Sequence, residues 1–158
     1  MPTYRTATLA DVDELAQMRW DFRLEEAPGP PANDAPTFLP ACAAFLRQGL
    51  LGKQWTYWIA TTEAQIISHI FIQTIAKVPK PNRLDEALGY VTNVYTRPAY
   101  RNQGIGTELM RHVLQWARQA DLESLIVWPS EASVSFYRRA GFEPSAEVME
   151  YSVRPYIL

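Results

Sequence analysis

The chain has 158 residues, 47% of them hydrophobic and 20% charged, with a net charge of −2 and a sequence pI near 5.7. That length suits one domain spanning residues 1–158, and the charge balance lacks the basic footprint of a nucleic-acid binder. The single cysteine, Cys42, excludes an internal disulfide, and beside only two histidines, His69 and His112, it gives no metal-ligand spacing. No stretch has the apolar length of a membrane span, and the start lacks the basic and apolar segments of a signal peptide, so a cytoplasmic location is expected.

In chain order, Tyr4–Ala7 alternates like a strand, and Thr8 with Asp11 three residues on predicts a capped helix through Val12, Leu15, Met18 and Phe22. Ala27–Pro36 is too rich in proline for regular structure. Phe38, Leu39, Cys42, Phe45 and Leu46 then return at helical spacing, predicting a second helix that ends near Gly49 or Gly52. Gln54–Thr62 and Gln65–Ala76 read as a hairpin around Thr62–Ala64, followed by a polar loop over Lys77–Glu86 and a strand over Ala87–Thr96.

A third helix carries Ile105, Leu109, Met110, Val113, Leu114, Ala117 and Ala120 on one face. Leu122–Trp128 predicts a short strand stopped by Pro129, and Ser130 a cap for a helix over Glu131–Ala140 with Gly141 at its end. Ala146–Val153 alternates as a last strand. The resulting order, β-α-α-β-β-β-α-β-α-β, is that of a mixed α/β sheet with helices on its faces.

Two glycines, Gly104 and Gly106, stand where the third helix begins, although glycine disfavours helices. The amides at a helix start lack intrahelical partners and favour an anion, so one reading is a phosphate site with Arg101 beside it; the other is close helix-to-strand packing. The dinucleotide motif fails because Leu109 stands where its third glycine belongs, and the lysine of a P-loop is absent.

The run NVYTRPAYRNQGIGTELM, with RxxGxG at Arg101–Gly106, resembles the acetyl-CoA-binding motif of the GNAT superfamily of N-acetyltransferases. SVSFYRRAGF at Ser133–Phe142 is similar to that superfamily's second motif. The order of elements resembles its fold across the whole chain, which implies about six to seven strands, about four helices and a cofactor cleft where parallel strands splay apart. What the resemblance implies is a direct transfer of acetyl from acetyl-CoA to a primary amine, a small molecule being favoured, without a metal and with homodimerisation open. A non-catalytic acyl-CoA-binding module is the alternative.

By the same resemblance, the amides from Gln103 through Gly104, Ile105 and Gly106 to Thr107 would hold the diphosphate, with Arg101 and Asn102 shaping the loop. Val94 and Tyr95 would pair with the pantetheine arm through their backbone and polarise the acetyl carbonyl. Tyr137 takes the place of a proton donor to the leaving thiolate, with a core aromatic as the other reading. Ser130 and Ser133 stand where pantetheine contacts occur, although Ser130 replaces a frequent asparagine and serves equally as a cap. Glu25 and Glu26 are the candidate groups for attracting the amine or relaying its proton, with a solvated pair as the bland reading. Acceptor walls are expected from Trp20–Pro36 and Lys77–Glu86, and Trp55, Tyr57 and Trp58 offer either a dimer surface or strand burial.

Overall fold

A computed structural model describes residues 1–27 and 29–154; Pro28, within the predicted proline-rich loop, lies outside them. The described elements are β1 (Thr3–Thr6), α1 (Val12–Glu26), α2 (Ala35–Leu51), β2 (Trp55–Thr61), β3 (Ile66–Ala76), β4 (Ala87–Thr96), α3 (Ile105–Gln119), β5 (Leu125–Ile126) and α4 (Val134–Ala140). One sheet runs in the order β1-β2-β3-β4-β5, antiparallel until β4, which pairs with β5 in parallel. No helix among the described residues is long and apolar enough to cross a membrane.

The local signals act as their chemistry requires. Asp11 accepts the Thr8 N–H at 2.7 Å ahead of α1, and Asp34 accepts the Thr37 N–H at 2.9 Å to start α2, inside the segment expected to lack structure. Alternation on β2 and β3 sends side chains to two cores. Tyr57, Ile59, Phe71 and Tyr95 meet Leu15, Met18 and Leu46 from α1 and α2, while Ile70, Ile72 and Val91 meet Leu109, Met110, Val113 and Tyr137 from α3 and α4.

Three expectations are corrected. The sheet has five strands among the described residues, fewer than the six to seven expected. Ala146–Val153 forms no strand: Met149, Tyr151 and Val153 are exposed, and the neighbouring edge strand β5 has only two ladder residues to offer. The helix expected over Glu131–Ala140 begins at Val134, after a 3-10 turn at Glu131–Ser133. Tyr57 is fully buried with its hydroxyl on the Leu46 carbonyl at 3.2 Å, and Trp55 packs against the same core, so burial accounts for these two aromatics without a dimer surface.

Candidate active site

β4 is ten residues long, yet only Gly89 and Tyr90 pair with β5. Beyond them the two parallel strands part, and the gap is a cleft of about 740 Å³ lined by β4 from Tyr90 to Thr96, by Val127 and Trp128, by α4 and by the end of α1. The splay expected from the sequence is therefore present. A bulge accompanies it: His69 faces Tyr95 but Phe71 faces Thr92, so Asn93 and Val94 together stand opposite Ile70.

Asn93 is held in the left-handed region at φ 50° and is pinned at two points. Its carbonyl lies 2.7 Å from Nδ1 of His69, which must donate and therefore carries the proton there. Its side-chain oxygen accepts from Nη1 of Arg19 at 2.9 Å. His69 is fully buried, its Nε2 has no partner among the described residues, and burial pulls its pKa down to about 4.

At the cleft's other end the loop from Arg101 turns into α3. Gly104 caps the helix at φ 78°, and a Cβ there would meet nothing within 4 Å. A Cβ on Gly106 would meet only Thr96 Oγ1 at 3.5 Å and Phe136 at 3.6 Å, ordinary contacts. Close helix-to-strand packing therefore does not require either glycine. The first backbone bond into the helix is Glu108 N–H to the Gly104 carbonyl at 3.0 Å, and the amides of Gln103 through Thr107 have no acceptor among the described residues. Gly104 through Thr107 line a pocket that adjoins the cleft and shares Gly106 and Phe136 with it.

Arg101 does not aim its charge at those amides. Its guanidinium donates to Glu25 at 2.7 Å and to the Thr96 carbonyl at 2.9 Å, and it covers the Tyr95 ring at 5.4 Å. Glu26 pairs with Arg23 at 2.6 Å, so both candidate acids line the cleft but are bound to arginines. Ser130 and Ser133 bond to each other, Oγ to Oγ at 3.0 Å, and Ser133 Oγ returns to the Ser130 carbonyl at 2.9 Å. Cys42 is half-buried on α2, away from the cleft lining, with its thiol pushed up by burial.

Tyr137 faces the cleft with 7% of its surface exposed, and its ring packs edge-on against Phe136 and Phe142. The hydroxyl has no hydrogen-bond partner among the described residues, and burial pushes its pKa up to about 12. The Lys77–Glu86 loop contributes nothing to the cleft lining. Its charges instead meet the α3–β5 connection, Lys77 on Glu123 and Arg83 on Asp121 at 2.6 Å.

The sequence profile of the acetyltransferase (GNAT) family matches residues 13–142, which include α1, the splayed strands and both glycines. The chain belongs to the GNAT acetyltransferase family. A protein described as a predicted acetyltransferase with acetyl-CoA, from Clostridium acetobutylicum, superposes with a TM-score of 0.79 at 25% identity, over 97% of each chain. A GCN5-related N-acetyltransferase from Ralstonia eutropha shares the fold with a TM-score of 0.74 at 20% identity, over 98% of this chain and 100% of that one. Glucosamine 6-phosphate N-acetyltransferase of Trypanosoma brucei brucei is 33% identical over 64 residues, 40% of this chain and 44% of that protein. An uncharacterized Mycobacterium leprae protein is 28% identical over 138 residues, 87% of this chain and 33% of that one, so the match spans under half of either curated relative.

The matched residues, 13–142, contain every residue that lines the cleft. Arg19, Asn93 and Trp128 line it and were not singled out from the sequence. For Arg19 a signal existed: it stands four residues after Leu15 and three before Phe22, a charge on the apolar stripe of α1.

Proposed function

We propose that the chain is a single catalytic domain that moves an acetyl group from acetyl-CoA directly to the primary amine of a small molecule, both substrates being bound at once. The observation that carries this reading is the row of amides from Gln103 to Thr107, without acceptors among the described residues, beside the left-handed Gly104; Gly104 through Thr107 line a pocket that adjoins the cleft between the splayed strands and shares Thr96, Arg101, Gly106 and Phe136 with it. Those amides and the helix dipole suit the diphosphate of the coenzyme, which also explains why neither glycine carries a side chain. The relative with acetyl-CoA from Clostridium acetobutylicum supports the same donor.

Along β4, the bulge leaves Val94 out of the ladder to β3, and no β5 residue pairs with Val94 or Tyr95. Their backbone groups would take the pantetheine arm as an added strand, with an amide polarising the thioester carbonyl. As the C–N bond forms and the C–S bond breaks, the amine nitrogen loses a proton and the departing sulfur gains one. Tyr137 supplies the second proton: its phenol stays protonated at neutral pH and has no competing partner among the described residues. The remaining chemistry requires a base, and Glu25 or Glu26 would serve only by leaving its arginine.

The test is a thermal shift combined with thiol release. Acetyl-CoA is expected to raise Tm, and Gly106→Val to abolish that rise, with the unliganded Tm of the variant read alongside to separate lost binding from lost folding. An unchanged shift in the variant would remove the diphosphate assignment. Tight acetyl-CoA binding with no transfer to any amine would favour a binding module over an enzyme.

A further inference from the structure

The cleft lining holds three arginines and two glutamates: Arg19, Arg23, Arg101, Glu25 and Glu26. Both glutamates are matched, Glu25 with Arg101 and Glu26 with Arg23. Arg19 is the surplus cation. Among the described residues it meets no carboxylate within ion-pair distance, and its only hydrogen bond uses Nη1, on the Asn93 side-chain oxygen. Phe22 lies 5.9 Å from its guanidinium carbon, which leaves most of the five N–H donors of that group without a described acceptor.

This charge is costly where it stands. Burial pulls the Arg19 pKa below the ordinary guanidinium value and the charge of Arg23 pushes it further the same way, while Cys42, Glu26 and Tyr90 offset only part. A partly buried cation with no carboxylate at ion-pair distance among the described residues carries part of a desolvation cost, which an anion entering the cleft would offset. Position strengthens the argument. Asn93 precedes Thr96 by three residues, about 10 Å of strand, so Arg19 sits midway along the cleft, apart from the diphosphate loop and beside the bulge where transfer would occur.

We infer that the acceptor amine carries an anionic group, a carboxylate or a phosphate, which Arg19 binds through the unused donors of its guanidinium. The inference rests on the acyl-transfer reading above. A guanidinium suits either anion because its paired N–H groups match two oxygens at once. Asn93 then has a positioning role, fixing Arg19 relative to the bulge.

The experiment compares matched acceptors by thiol release from acetyl-CoA: amino acids against their amides, and aminoalkyl phosphates against the parent amino alcohols. The anionic member of one pair is expected to have a kcat/KM at least ~10-fold higher, and the pair concerned distinguishes carboxylate from phosphate. In Arg19→Gln that ratio should fall close to one. The wild-type comparison needs no variant, so the inference stays testable if Arg19→Gln does not fold. Equal rates within both pairs, or a preference for cationic diamines, would overturn the anionic site and leave acetyl transfer standing. If no amine is acetylated, the transfer reading fails, and the anionic site is judged by Tm shifts from N-acetylglycine and inorganic phosphate in the presence of coenzyme A. A shift lost in Arg19→Gln supports it; no shift overturns it.

Discussion

Under the proposed mechanism Tyr137 would join two roles that a sequence presents as alternatives. Its ring packs against Phe136 and Phe142, while its hydroxyl has no hydrogen-bond partner among the described residues. Tyr137→Phe keeps the ring and removes only the acid, so turnover should fall on the order of 10²-fold with acetyl-CoA affinity nearly unchanged. Wild-type turnover in that variant would make the residue a packing aromatic alone. The raised pKa also has a direction in pH: the proton is held until the pH rises through about 12, so this group should impose no loss of turnover as the pH passes the ordinary phenol value of 10. Individual roles were unevenly legible in the sequence. Gly104 and Gly106 were conspicuous because glycine is a poor helix former, whereas the ion pair that turns Arg101 toward Glu25 joins residues 76 apart and has no local trace.

The bulge in β4 is the element on which the site turns. Strands read well from composition, and Ala87–Thr96 was placed with its observed limits, but nothing in ALGYVTNVYT marks where the ladder slips. Asparagine is among the residues that tolerate a left-handed backbone, and here the His69 imidazole and Arg19 hold it there. Asn93→Ala should lower Tm more than Asn93→Gly, since both lose the Arg19 bond but only alanine meets a left-handed penalty of roughly 1–2 kcal/mol. Equal losses in the two variants would show that the backbone conformation at this position does not matter. The expected strand at Ala146–Val153 failed for the opposite reason: its alternation is real, but a strand needs an edge to pair with, and period alone does not supply one.

At the scale of the whole molecule, stability should respond to acid through His69. Its folded pKa is lowered to about 4 by burial and by the charges of Arg19 and Arg97, while the unfolded value is near 6.5. Between those values the unfolded chain takes up a proton that the folded chain refuses, so stability falls as the pH drops through this window and levels off below it. The loss amounts to roughly 3 kcal/mol at most. Denaturant titrations at pH 7 and pH 4.5 should therefore differ less for His69→Gln than for the wild type, and an identical difference would assign the acid sensitivity to other groups. The order of elements and their two cores were legible because hydrophobic period dictates both; the pairing of charges across the cleft was not, since it depends on tertiary distance.

The bridge between Arg101 and Glu25 joins two walls of the cleft, the glycine loop before α3 and the last turn of α1, and both side chains remain substantially exposed at 41% and 37%. Such a pair is worth only about 0.2–1 kcal/mol and weakens as salt screens it. It therefore acts as a slack tether between the two walls. A ligand has little to break on entering, and ionic strength tunes how often the tether is fastened.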